Sequence, residues 1–234
     1  MLVKEEVPVS ERGWVRSGGV VGIISMATLL AGVVSGPNKL ISTDSSVAKI
    51  VSDVGSDTAR EAVSGGLAIV GAALFVWFAA TLASRLSVAN DTGPLGSTVL
   101  AASIIVFVFG SLDNIVLNVL GFLSRQGSLT SEPELTRLLY HFYNGLFMPG
   151  LAAFGFSLYF VAVGLGALMG RIRPRWLTWP SLLLAPLALV NGFVGITMTN
   201  GGANPVAPIA ILGFVVVTMS ISIVMLRDKP RSAE

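Results

Sequence analysis

The sequence predicts an all-α integral membrane protein: a bundle of six transmembrane helices, both termini cytoplasmic, with two further interfacial helices on the extracytoplasmic side. Three observations lead there. Of 234 residues, 53% are hydrophobic and only 12% charged, with a mean hydropathy of +0.79, whereas soluble domains carry about 25% charged residues. Six apolar runs each approach or exceed the ~20 residues needed to cross a ~30 Å hydrocarbon core. The basic residues also sort by connection: ten lie in the head, at Arg85, in the 171–175 turn and in the tail, and five (Lys39, Lys49, Arg60, Arg125, Arg137) lie in the other connections. Lysine and arginine concentrate on the cytoplasmic side of such proteins, which puts both ends inside and suggests a plasma membrane or bacterial inner membrane.

Residues 1–17 form a polar head carrying Lys4, Arg12 and Arg16, ahead of the transmembrane domain at 18–226. The first span, 18–36, exceeds the roughly 7 to 15 apolar residues of a signal-peptide core, and no small-x-small cleavage site follows it, so it is expected to be retained. Its Gly18/Gly22 and Gly32/Gly36 pairs have the spacing that lets helices approach closely. In the hydrophilic connection that follows, Val47, Ile50, Val51 and Val54 recur at i, i+3, i+4 and i+7, which predicts a short amphipathic helix lying on the membrane surface. Span two covers 65–84 and ends at Arg85. Turn chemistry at Asn90-Asp91 and Gly93-Pro94 leads into span three at 97–123.

Ser131-Glu132-Pro133-Glu134 reads as a helix start, with a serine cap, an early proline and a glutamate able to close a capping box. A helix from there to Gly170 would far outrun a bilayer, so a break is expected at Gly145, Pro149 and Gly150. That gives an interfacial helix at 133–144 and span four at 146–169, with Ala162, Gly166 and Gly170 as a small-residue seam. Arg171, Arg173 and Arg175 make a basic turn, and the interfacial aromatics Trp176 and Trp179 open span five at 176–199, which carries Pro186 inside it. Span six is 207–226, and 227–234 is a basic cytoplasmic tail.

The sharpest functional clue is Asp113, in Ser111-Leu112-Asp113-Asn114, about 24 Å along span three at ~1.5 Å per residue. An ionisable group at membrane depth costs roughly 2.5 to 3.5 kcal/mol on insertion scales and usually faces a cavity or the bundle interior. Asn114 and Asn118 share a helix face beside it. By depth its candidate partners are Arg137 and His141, one turn apart on the interfacial helix, with Asn144 on the same side, and Asn191 of span five. Tyr143 completes a candidate outward-facing pocket for a small polar or cationic ligand, or for protons. The alternative is that these groups hydrogen-bond across helices and fix the bundle's register. Tyr140 and Tyr143 also fit the role of aromatic-belt anchors, and His141 that of a solvated interfacial histidine. Met148, Met169, Met198, Met219 and Met225 lie at scattered depths, as gap-fillers do.

Zero cysteines and a single histidine rule out disulfides, thiolate metal sites and a zinc site built mainly on histidine. Gly155-Phe156-Ser157 in span four resembles the serine motif of rhomboid intramembrane proteases, but span six holds no histidine to act as base. No H-E-x-x-H, P-loop or potassium-filter sequence is present. No cofactor, catalytic residue or nucleic-acid partner is therefore expected; the partner is the lipid bilayer.

The layout as a whole resembles a family of bacterial six-span membrane proteins labelled only as a domain of unknown function. The resemblance rests on the basic residue before span one, the polar stretch 53–67 leading into span two, and the stretch 154–189 containing Arg-Ile-Arg-Pro-Arg-Trp at 171–176. It implies the six-span fold and no activity. Two functional expectations follow from the residues: a small transporter or ligand-binding protein centred on Asp113, or a non-catalytic accessory subunit or homo-oligomer associating through glycine-rich helix faces.

Overall fold

A computed structural model describes residues 9–35, 45–55, 58–87, 93–143, 150–197 and 207–227, without the side chains of 9–12, 53, 55, 197 and 207. Among the described residues the protein is all-helical: α1 (Val9–Ser35), α2 (Val47–Gly55), α3 (Thr58–Ser87), α4 (Leu95–Arg125), α5 (Ser128–Ser131), α6 (Pro133–His141), α7 (Ala152–Leu168), α8 (Thr178–Thr197) and α9 (Ala207–Arg227). α1, α3, α4, α8 and α9 are long and apolar enough to cross a membrane, while α7 is an apolar helix of 17 residues. At ~1.5 Å per residue α7 reaches about 25 Å, short of the span expected at 146–169. Its N-terminal side is not α-helical: π-helical backbone occupies 142–143 and 150–151, where a regular helix was expected to break. The break-forming Gly145 and Pro149 lie outside the described residues.

The six apolar helices close into a ring in the order α1, α3, α4, α7, α8, α9 and back to α1. Neighbours run antiparallel where glycines bring them together. Gly32 faces Ser64 and Ala68, and Gly22 faces Phe78; Gly65 meets Asn114 and Asn118, and Gly96 meets Ala83; Gly164 meets Leu182, and Gly192 meets Gly150. The ring centre is filled by Phe75 and Phe78 of α3, Phe156 and Tyr159 of α7, and Phe214 of α9, with ring centroids 4.8 to 6.0 Å apart. Such offset and edge contacts suit the aromatic quadrupole and bury large apolar areas.

Glycines thus decide how the ring closes. Ser25 donates to the Gly71 carbonyl at 2.8 Å and Ser64 to the Gly32 carbonyl at 2.7 Å, short reaches possible because the facing backbone is bare. Gly166 packs against Ile172 and Leu86 of the same chain. Gly170 is not part of a packing seam: with φ +73° it ends α7 in a left-handed turn, and Arg171 and Ile172 donate their N–H groups to the Gly166 carbonyl. α8 runs on through Pro186.

α3 and α4, with 30 and 31 residues, reach about 45 Å and overshoot the hydrocarbon core. Their end near Arg85 lies beside Arg171 and Arg173. The surplus length is at the other end, where α2, α5 and α6 pack on α4. The stripe on α2, expected to face lipid headgroups, is covered by protein: Ile50 and Val54 form a second core with Leu120, Leu129 and Tyr140. At the start of α6 the expected capping box is absent. Glu132 takes the cap position without a side-chain bond, Pro133 occupies the first turn, and Ser131 donates to the Ser128 carbonyl instead.

Candidate functional site

Among the described residues the buried carboxylates are Glu61, near the overshooting start of α3, and Asp113, within α4. Asp113 of α4 is 8% exposed and Glu61 of α3 only 4%. Asp113 lies on the α4 face that continues through Leu117, Leu120 and Ser124 towards α2 and α6; the Ser124 hydroxyl donates to the Val51 carbonyl at 3.2 Å. Glu61 lies against the next face of α4, where a methyl on Gly121 would meet its Oε2 at 3.6 Å.

Tyr143, in the turn after α6, senses both acids. Its hydroxyl is pushed well above the ordinary phenol value, first by burial and then by the charges of Asp113, of Tyr140 and of Glu61. Tyr140 is buried and its ring lies 6.0 Å from that of Tyr143. The inward face of α6 and its extension is therefore Thr136, Tyr140 and Tyr143. The aromatic-belt role fails for Tyr140 because α2, α4 and α5 cover it.

Arg137 and His141 are on the wrong side of α6 for the role the sequence suggested. Arg137 is exposed and lies 4.0 Å from the equally surface-facing Glu134; His141 is half-buried. One residue of offset on a helix is a 100° rotation, enough to turn this pair away when Thr136 and Tyr140 face in. Asn191 is buried in α8, where its neighbour Gly192 packs on Gly150, Ala153 and Phe154 of the α7 side. Asn144 lies outside the described residues.

Asn114 and Asn118 do not bond across helices through their amide N–H groups. Each donates to its own helix, Asn114 to the Gly110 carbonyl at 2.7 Å and Asn118 to the Asn114 carbonyl at 2.8 Å. Their side chains pack on bare α3 backbone, since a methyl on Gly65 would lie 3.1 Å from Asn114 Oδ1 and 3.2 Å from Asn118 Nδ2.

Between α3 and α4 at this end is a cavity of about 220 Å³ lined by Thr58, Glu61, Ala62, Asn118, Gly121, Phe122 and Arg125. Ala62, Asn118, Phe122 and Arg125 are exposed and form its mouth. The Arg125 guanidinium donates to the Thr58 hydroxyl. The cleft combines an acid at its floor, a base at its rim and an amide between them. Its lining differs from the expected pocket: Asn118 is shared, whereas Glu61, Thr58 and Arg125 were not foreseen. Among the described residues no group of three or more histidine, cysteine, aspartate or glutamate side chains is placed to hold a metal.

Comparison with protein-family models, with curated proteins and with solved structures finds no match to this chain. The fold and its apolar helices define a multi-pass, all-helical membrane protein.

Proposed function

We propose that the protein is a six-span membrane protein with both termini cytoplasmic, whose α3–α4 cleft binds a small polar ligand bearing a positive charge. Glu61 carries this reading. Burying a charge in protein is costly unless it is paired, and this carboxylate is held 4% exposed at the floor of a polar cavity. Asp113 and the neighbouring Tyr143 form a second polar pair outside the cavity lining. α7 counts as the sixth span because it occupies a full place in the ring.

Binding is favoured over passage along the ring axis because five aromatic side chains fill the centre. The accessory-subunit alternative loses its main argument. Gly18, Gly22, Gly32, Gly71, Gly155 and Gly164 all face other helices of the same chain, leaving those faces no surface for a partner.

The test uses the full chain in lipid nanodiscs, with ethanolamine, tetramethylammonium, sodium and calcium as probes and thermal unfolding as readout. At least one cation should raise the Tm of the wild type and leave Glu61→Gln unmoved. If none moves the wild type, or if the variant responds equally, the cleft is not a binding site.

A further inference from the structure

The cleft's depth, its mouth and its paired charges together specify a ligand. From Arg85 to Glu61 is 24 residues of one helix, about 36 Å at ~1.5 Å per residue. A bilayer is about 40–45 Å thick including both headgroup layers. With Arg85 in one headgroup layer, Glu61 therefore lies in the other. The mouth opens sideways, because Phe122 lines it and continues an exposed apolar stripe of α4 through Ile115 and Val119. This stripe sits where acyl chains run, and it ends at a polar cavity at headgroup level.

Inside, Glu61 offers a carboxylate to an ammonium, and Arg125 offers guanidinium N–H groups to a phosphate, the pairing its planar fork favours. A quaternary ammonium would need an aromatic cage, but among the described residues Phe122 is the only aromatic side chain lining the cleft. A primary ammonium, with three N–H donors, instead matches the Glu61 carboxylate at the cavity floor. From this geometry we infer that the cleft binds the headgroup of an aminophospholipid, a primary amine joined to a phosphodiester, drawn from the leaflet opposite Arg85. The inference rests on the cleft being a binding site at all and names its occupant.

The experiment reconstitutes the full chain in nanodiscs of phosphatidylcholine doped with phosphatidylethanolamine, phosphatidylglycerol or excess phosphatidylcholine. Lipid retained on extraction is counted by native mass spectrometry, and a parallel arm supplies soluble phosphoethanolamine. The wild type should retain phosphatidylethanolamine at least tenfold over phosphatidylcholine. Glu61→Gln should lose that preference and gain phosphatidylglycerol, whereas Arg125→Gln should lose all phospholipid retention at the site. Ala62→Phe, an exposed substitution that fills the mouth without touching either charge, should also abolish retention. Equal retention of the two zwitterionic lipids by the wild type, or a preference that survives both Glu61→Gln and Ala62→Phe, overturns the proposal. Binding of soluble phosphoethanolamine without lipid selectivity overturns the lipid source and leaves the cleft as a cation site. A cleft that responds neither to lipid nor to the free cations above is no binding site.

Discussion

The Tyr159 and Thr218 hydroxyls meet at 3.0 Å in the buried centre of the ring, joining α7 to α9 across α8. Around them the ring holds apolar and aromatic side chains, so each hydroxyl depends on the other. Tyr159→Phe should destabilise the protein by about 1 kcal/mol, within the range of interhelical hydrogen bonds, because Thr218 is left buried with a weaker bonding set. The double variant with Thr218→Val should lose less than the two single variants together. Strict additivity in a denaturation cycle would show that the two groups act independently.

The glycine faces predict a sharp positional contrast. A side-chain carbon at Gly32 would lie 3.1 Å from Ala68 N and Ser64 O, which are backbone atoms, whereas nothing lies within 4 Å of a carbon at Gly66. Gly32→Leu should cost upwards of about 2 kcal/mol, as overpacking does, by forcing α1 off α3. Gly66→Leu should be neutral in both stability and oligomeric state. Gly166→Leu belongs with the first group, since Gly166 faces Ile172 and Leu86, and size-exclusion profiles should show unfolding rather than a change of assembly. A folded monomer in place of a wild-type oligomer would restore the partner role of these faces.

The helices were legible in the sequence because hydrocarbon imposes one simple demand, that every backbone group bond within its own segment. Apolar runs therefore marked α1, α3, α4, α8 and α9 to within a few residues, apart from the longer N-terminal extensions of α1 and α3; the 3.6-residue period marked α2, and the start at Pro133 marked α6. Glu61 was not legible. Hydropathy starts the second span at Gly65, but the helix begins at Thr58, so a residue assigned to a hydrophilic connection became a buried one. Its signal was present in Glu61, Gly65 and Ala68, spaced four and three apart on one helix face, with α4 bringing Gly121 opposite. The inward face of α6 was misjudged for a related reason. Depth alone singled out Arg137 and His141, whereas rotation about the helix axis is set by Leu129, Leu120 and Ile50, which are distant in sequence and take Tyr140 as their partner.

Alkaline pH should expose the environment of Tyr143. Burial and the neighbouring carboxylates hold its hydroxyl above the ordinary value near 10, so the unfolded chain ionises first as pH rises. The folded state then holds the extra proton. Stability credited to this group is complete below pH ~10 and declines above it, up to the raised folded value. Tyr143→Phe should flatten that decline in melts taken across the alkaline range, and an unchanged pH profile would place the hydroxyl in solvent.

Sidedness has its own measurement. Single cysteines at Ser128, the first residue of α5, and at Ser232 in the tail can be placed in a chain that has no other cysteine. In intact cells a membrane-impermeant maleimide should label position 128 only, and position 232 should label after permeabilisation. Labelling of both from the same side would require an odd number of spans, with α7 failing to cross.

Asp113→Asn separates a binding role from a structural one through the sign of its effect. The substitution keeps the shape and one acceptor oxygen but removes a charge from a site 8% exposed, beside Tyr143. If Asp113 is kept for ligand or proton binding, its charge is a cost to the fold, as intramembrane carboxylates are, and the variant should be more stable by about 1 kcal/mol. If the carboxylate instead anchors the α4 and α6 elements, the same variant should lose stability and loosen Tyr143, which the alkaline titration would report as ionisation nearer pH 10. The two outcomes move the melt in opposite directions, so thermal unfolding of one conservative variant decides between them.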